Sequence, residues 1–152
     1  MSASGCEITG IRYYASSNIT FNNSTVPTIS VKLAEVDNAS LTEFLDESGF
    51  TEVFLGQPQG KGTKELFFDF SNHPFSYSGS KNLIVQIKTT TTTDWQTIYF
   101  HSTTQENNVS YYFNHSNTYN RDYSGAYGTM PKTTFYYELP VTCPNPTDLT
   151  LR

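Results

Sequence analysis

The chain has 152 residues, of which 15% are charged and 15% aromatic, and it carries 11 Tyr and 11 Phe. Soluble domains usually have roughly 25% charged residues, so a polarity supplied mainly by Thr, Ser and Asn favours a β-rich extracellular domain over a cytosolic α/β enzyme. A net charge of −5 with nine scattered basic residues excludes a nucleic-acid-binding surface. No apolar run reaches the roughly 20 residues that span a bilayer.

The first ten residues, "MSASGCEITG", lack the charged and apolar regions of a signal peptide. If the protein is secreted or displayed at the cell surface, we expect this chain to be a mature or trimmed form. From residue 7, "EITGIRYYAS" has the alternation of a first strand, with Ile8 and Ile11 or Tyr13 facing the core.

Residues 28–36, "TISVKLAEV", also alternate with a period of two. The pattern predicts a half-buried strand whose other face, with Ser30, Lys32 and Ala34, meets solvent. Residues 38–48, "NASLTEFLDES", are the one helix candidate, because Asn38 or Ser40 could cap a turn or two of helix.

The remaining strand candidates are "TEVFLG", "TKELFFDFS", "NLIVQIKTT", "DWQTIYFHST", "NVSYYFNH" and "TTFYYELP". Roughly eight or nine short strands separated by turn signals predict an all-β fold, a two-sheet antiparallel β-sandwich with at most one short helix. The residues expected to face inward are Leu33, Val53, Phe68, Val85, Ile98 and Tyr137.

Residues 73–87, "HPFSYSGSKNLIVQI", form the most strongly patterned segment. Pro74 and Gly79 suit a turn, and the apolar residues of "NLIVQI" alternate as core positions, so we interpret the segment as scaffold.

Together with "TEVF" upstream and "VSYYFN" and "FYYEL" downstream, this segment resembles a jelly-roll-like bacterial β-sandwich module of the cleaved-adhesin or choice-of-anchor type. Such modules occur in surface and secreted proteins of anaerobic gut and oral bacteria. The residues that carry the resemblance are Pro74, Phe75, Tyr77, Gly79, Asn82, Leu83, Val85 and Ile87, with Glu52, Val53 and Phe54.

The resemblance implies a hairpin at 73–87, and adhesion or glycan binding as the activity. It also implies a module over residues 1–140, followed at 141–152 by a linker and the start of a fibronectin type III domain. Family members usually carry a further strand before the one that begins here at Glu7. We therefore expect the strand at Glu7, or its neighbour, to be an exposed edge that invites dimerisation or strand exchange.

The two cysteines, Cys6 and Cys143, lie near opposite ends of the chain. In an oxidising compartment they could form a disulfide, because domain termini often lie close together. They could equally be separate thiols, or Cys143 could belong to the junction with another domain. Their spacing does not suit zinc.

A structural calcium ion is the one cofactor that the sequence suggests. Asp37, Asn38, Asp46 and Glu47 are close in sequence and offer oxygen ligands, although without the spacing of an EF-hand. The alternative is that these are solvated loop residues and a helix cap.

The best candidate for ligand binding is the segment 107–130, which is rich in Tyr, Asn and Ser. Aromatic rings stack on sugars while amides and guanidinium groups bond hydroxyls, and the same mixture suits a protein surface. Because of its glycines we expect an irregular loop with exposed tyrosines. The candidate ligand-binding residues are Trp95, Tyr119, Arg121, Asp122, Tyr123 and Tyr127.

These observations favour a non-catalytic module that binds glycan or a protein surface. A structural spacer without a ligand is the first alternative. A sandwich hydrolase with two carboxylates in a cleft is the second.

Overall fold

The computed structural model describes residues 5–21, 26–37, 40–43, 45–90, 98–105, 110–116 and 121–140, with the backbone alone for 110–116 and 121–124. The predicted all-β antiparallel fold is confirmed. Among the described residues, no helix is long and apolar enough to cross a bilayer. The strands are β1 Cys6–Tyr14, β2 Ile29–Val36, β3 Thr51–Gly56, β4 Glu65–Asp69, β5 Phe75–Tyr77, β6 Asn82–Thr89, β7 Ser102–Thr104, β8 Ser110–Ser116, β9 Arg121–Tyr127, β10 Thr129–Pro131 and β11 Thr133–Glu138.

Two antiparallel sheets form the body of the described structure. The first sheet has the order β11-β1-β4, and β5 pairs with the beginning of β1 on the same side as β4. The second sheet has the order β3-β2-β6. Two smaller antiparallel pairs, β7–β10 and β8–β9, complete the strands.

The core lies between the inner faces of these two sheets. Phe68 of the first sheet and Phe54 of the second meet edge to face, with ring centroids 5.4 Å apart. Alternation explains the burial, because β-strands direct every second side chain to the same face. The buried apolar residues include Ile8, Ile11, Tyr13, Val31, Leu33, Val53, Leu66 and Phe68.

The expected inward residues divide into three groups. Leu33, Val53 and Phe68 are buried, and Val85 and Ile98 are half-buried against the core. The prediction is wrong for Tyr137, whose side chain is 59% exposed. Tyr137 lies opposite Ile8 in the register. However, β11 is at the margin of the first sheet, where the inward-facing side chains of the strand are not fully covered.

Strand β1 lies inside the first sheet, so the first of the two expected edges, the strand at Glu7 itself, is wrong, and its neighbour is left as the candidate. It pairs with β11 along one side and with β4 and β5 along the other. Among the described strands β1 is the only partner of β11. The edge beside the N-terminal strand is therefore β11.

The helix candidate is a single 3-10 turn, Glu47–Gly49, and the predicted helix of a turn or two is absent from the described residues. The Asp46 carboxylate accepts a hydrogen bond from the Ser48 amide and the Glu47 carbonyl accepts one from Phe50, which closes a short turn. The predicted cap Asn38 lies outside the described residues.

The outer face of β2 is less exposed than its alternation predicts. Ser30 and Ala34 are buried, and Lys32 is half-buried. Ser30 Oγ donates to Glu52 Oε2 at 2.6 Å, and the 3-10 turn brings Glu47 to within 2.6 Å of Lys32. Polar partners from β3 and from this turn thus cover the predicted solvent face.

The segment 73–87 contributes a strand to each of the two sheets, but it is not a hairpin. Its first strand, β5, pairs with β1 in the first sheet, and its second, β6, pairs with β2 in the second sheet. Gly79 has φ +75, a conformation that favours glycine, at the turn where the chain crosses between the sheets. Ile87, near the far end of β6, is 43% exposed.

Candidate ligand-binding face

The outer face of the first sheet carries a patch of aromatic and charged residues from three adjacent strands. In the register Gly10 lies between Asp69 and Tyr136, and Arg12 lies between Phe67 and Thr134. We call the patch the aromatic face. It comprises Arg12, Tyr14, Glu65, Phe67, Lys132, Thr134 and Tyr136.

The centre of the aromatic face depends on a glycine. The rings of Phe67 and Tyr136 meet edge to face with centroids 5.3 Å apart, although β1 lies between their strands. A Cβ atom on Gly10 would be 3.1 Å from Phe67 Cε2 and 3.1 Å from the Phe68 carbonyl oxygen. Glycine leaves the space over the middle strand that the Phe67 ring occupies.

Arg12 lies against this ring pair. Its guanidinium carbon is 5.1 Å from the centroid of Phe67 and 5.1 Å from that of Tyr136. Its Nη1 forms an ion pair with Glu65 Oε2 at 3.0 Å, and its Nε is buried without a hydrogen-bond partner in the described structure. Two rings and one carboxylate therefore hold the guanidinium in one orientation, which suits the planar cation.

The end of the face nearer the β10–β11 junction is built around Tyr14. Its hydroxyl group is 2.8 Å from Thr134 Oγ1, and Lys132 Nζ lies 4.8 Å from its ring centroid. The aromatic face thus alternates ring surfaces with hydroxyl, guanidinium and ammonium groups. The two positive charges, of Arg12 and Lys132, are matched in number by two negative charges, of Glu65 and of Asp69, which lies opposite Gly10.

The predicted ligand-binding segment is a hairpin over its described part. Strand β9 pairs with β8 from Ser116 opposite Arg121 to Ser110 opposite Tyr127, so the irregular loop expected over 121–127 is wrong. The composition resembles that of a loop, but tyrosine is also a good strand former, and continuous pairing with β8 satisfies the backbone.

The hairpin contains four of the six candidate ligand-binding residues. Arg121, Tyr123 and Tyr127 occupy alternate positions of β9 and Asp122 an intervening one, and Tyr127 is 50% exposed. Trp95 and Tyr119 lie outside the described residues, so the predicted patch stays a prediction.

The proposed calcium ligands are engaged by other groups. Asp37 forms an ion pair with Lys81 at 3.1 Å, and Glu47 pairs with Lys32 at 2.6 Å. Asn38 lies outside the described residues. Within the part of the chain that the structure describes, no three His, Cys, Asp or Glu residues cluster as metal ligands.

A shallow groove of about 350 Å³ lies at the β5 end of the two sheets. Ser76 Oγ donates to Glu7 Oε1 at 2.6 Å, and Ser78 Oγ and N donate to Glu35 Oε1 at 2.5 and 2.9 Å. Glu35 belongs to the second sheet and Ser78 follows β5 of the first, so this contact links the sheets. Cys6 lines the groove as a half-buried residue without a disulfide partner among the described residues. Its proposed partner Cys143 lies outside the described residues, and the disulfide stays a prediction.

Sequence reasoning missed the aromatic face. The alternation marks Arg12, Phe67 and Tyr136 only as outward residues of three separate strands. Their convergence requires the strand order β11-β1-β4, which no local pattern contains.

Comparison of the chain with protein-family models, with curated proteins and with solved structures gave no match.

Proposed function

We propose that this protein is a non-catalytic binding module of an exported protein, and that its aromatic face recognises a neutral glycan. The observation that carries the proposal is the Phe67–Tyr136 ring pair with Arg12 held against it. Aromatic rings stack on the apolar faces of pyranose rings, and fixed polar groups beside them bond the hydroxyls.

The electrostatics of the face favour a neutral ligand over an anionic one. Arg12 is paired with Glu65. Asp69 and Tyr136 lie on opposite sides of Gly10, with strand β1 between their strands. Hydrogen bonds from Ser71 lower the pKa of Asp69, which keeps this carboxylate charged. An anionic sugar would meet these carboxylates, whereas a neutral hydroxyl can donate to them.

Four described carboxylates are engaged by other side chains, which supports a non-catalytic role, although Glu7 and Glu35 both line the groove at β5. Glu7 and Glu35 accept serine hydroxyls, and Glu47 and Glu65 form ion pairs with basic side chains. Glycoside hydrolysis needs a carboxylic acid with a raised pKa beside a second carboxylate. The hydrogen bond from Lys32 instead lowers the pKa of Glu47.

Export is supported by composition and by the resemblance of residues 73–87 to bacterial surface modules. The low charged fraction and the abundance of Tyr, Thr, Ser and Asn are typical of extracellular β-domains. We propose the cell surface or the extracellular medium as the location.

The experiment is a glycan array followed by isothermal titration calorimetry of the best neutral glycan. We expect a dissociation constant on the order of micromolar to millimolar, because an open face excludes little water. Tyr136→Ala should abolish binding, since it removes one ring of the pair. Tyr137→Ala is the matched control, because this neighbouring and more exposed tyrosine lies on the opposite side of β11.

Two further results separate the alternatives. Tyr127→Ala removes an exposed tyrosine of the β8–β9 hairpin, and if it alone abolishes binding, the ligand site is the hairpin. Absence of binding across the array for the folded wild-type protein would overturn the proposal and favour a structural spacer.

A further inference from the structure

Among the described strands, β11 has one edge without a pairing partner, and it carries exposed apolar side chains. Its neighbour on one side is β1, and no other described strand pairs with it. Phe135 is 37% exposed and Tyr137 59%, and Leu139 just beyond the strand is 64% exposed. Natural proteins usually protect such edges with charges, prolines or bulges, because unpaired edges invite another strand. Within β11 the one charged residue is Glu138.

The charge of Glu138 lies in an unfavourable place for an isolated chain. In the register it is directly opposite Glu7 of β1, and like charges in this position repel each other. Glu7 accepts a hydrogen bond from Ser76, while no basic residue of the described structure pairs with Glu138. A cation from outside the chain would relieve this repulsion.

We propose that the protein forms a symmetric dimer in which β11 pairs antiparallel with β11 of a second copy, with Phe135 opposite Phe135 of that copy. This arrangement joins the two first sheets into one continuous sheet. It does not depend on glycan binding, although one residue that it uses, Lys132, also belongs to the aromatic face.

Symmetry and charge together select this register. A two-fold axis normal to an antiparallel pair requires that one residue lie opposite its own copy, because an odd offset would place side chains of opposite faces together. Lys132 directly precedes β11, and its amide donates to the His101 carbonyl at 2.7 Å. When the register is extended by this one residue with Phe135 on the axis, Lys132 lies opposite Glu138 of the second copy, and this pair occurs twice. With Tyr136 on the axis, Glu138 would instead lie opposite Thr134, and no charge pair would form.

The side chains of these charge pairs project from the same side of the sheet. Lys132 Nζ lies over the Tyr14 ring on the outer face, and Glu138 belongs to the same alternating row as Thr134 and Tyr136. On the inner side, Phe135 meets its own copy and Thr133 meets Tyr137. Cross-strand aromatic and opposite-charge pairs both stabilise antiparallel sheets.

The dimer should be weak and sensitive to salt. Pairing of one six-residue strand buries less than the roughly 1,200–2,000 Å² of a stable interface. The two charge pairs lie at the surface, where salt screens them. We therefore expect a monomer–dimer equilibrium that shifts toward the dimer with concentration and toward the monomer with added salt.

Sedimentation velocity across a concentration series tests the proposal by charge exchange. Lys132→Glu places like charges opposite each other in a homodimer, and so does Glu138→Lys, so each variant alone should be monomeric where the wild type is dimeric. An equimolar mixture of the two variants has opposite charges at both positions and should dimerise. Lys61→Glu, at an exposed turn residue far from the edge in the fold, is the control and should dimerise like the wild type.

Three results would overturn the inference. The first is a wild type that stays monomeric at millimolar concentration. The second is a single variant that dimerises as strongly as the wild type. The third is a mixture that stays monomeric although circular dichroism shows both variants folded.

Discussion

The rings of Phe67 and Tyr136 meet edge to face 5.3 Å apart across the strand that lies between their own strands. Gly10 occupies the middle position, where a Cβ atom would press on the Phe67 ring at 3.1 Å, so glycine lets that ring lie over β1 toward Tyr136. The local stability of the first sheet and the proposed ligand site therefore depend on the same glycine.

We predict that Gly10→Ala lowers the free energy of unfolding by about 1–2 kcal/mol, because overpacking next to the fixed Phe68 carbonyl outweighs the gain from a stiffer backbone. Glycan binding should weaken with it, since the ring pair must separate. Urea unfolding and calorimetric titration measure the two effects. Gly49→Ala is the matched control, because a Cβ at Gly49 would contact nothing within 4 Å, and it should be neutral.

We predict that Arg12→Lys weakens glycan binding while leaving the fold intact. Lysine keeps the charge for Glu65 but loses the planar group that lies against two rings, a cation–π contribution of about 0.5–2 kcal/mol. Titration calorimetry measures the loss, with Lys88→Arg as a control at an exposed cation of β6 in the second sheet. Unchanged affinity in Arg12→Lys would mean that the guanidinium has no part in the site.

We predict that the Lys32–Glu47 contact makes stability depend on pH. The hydrogen bond from Lys32 lowers the pKa of Glu47 below its ordinary value of 4.5. The contribution is therefore complete above about 4.5, the pKa in the unfolded chain, and is lost as the pH falls through the lower folded value. Lys32→Met should destabilise the protein more at neutral pH than in acid, as measured by urea unfolding at both.

The control for this pH dependence is Lys61→Met, at an exposed turn residue, for which the change in unfolding free energy should not vary over the same range. A destabilisation by Lys32→Met that is equal at both pH values would show that lost packing of the lysine stem, and not the ion pair, is responsible.

We predict opposite outcomes for two aromatic residues that the alternation treats alike. Phe68 is fully buried between the sheets, so Phe68→Ala should cost about 3–5 kcal/mol of unfolding free energy. Tyr137 is largely exposed at the edge, so Tyr137→Ala should change the melting temperature little. Thermal unfolding of both variants measures the contrast, and a large loss for Tyr137→Ala would place that ring in the core.

The short strand β5 and the crossing at Gly79 show where sequence analysis stops. Its alternation indicates strands on both sides of Gly79, and both exist. It does not indicate that they pair in different sheets, because a turn to a neighbouring strand and a turn to the opposite sheet use similar residues. The implied hairpin was wrong for this reason.

The sequence by itself determined the all-β class, the strands at "TEVFLG" and "NLIVQI", and the buried rows of β1, β2 and β4. These depend on local alternation, which a strand expresses wherever it pairs. The tertiary structure alone decided that β1 is central, that Glu138 faces Glu7, and that Arg12, Phe67 and Tyr136 meet over Gly10. Those relationships join residues that are distant in sequence, and their energy is gained only after the strand order has been chosen.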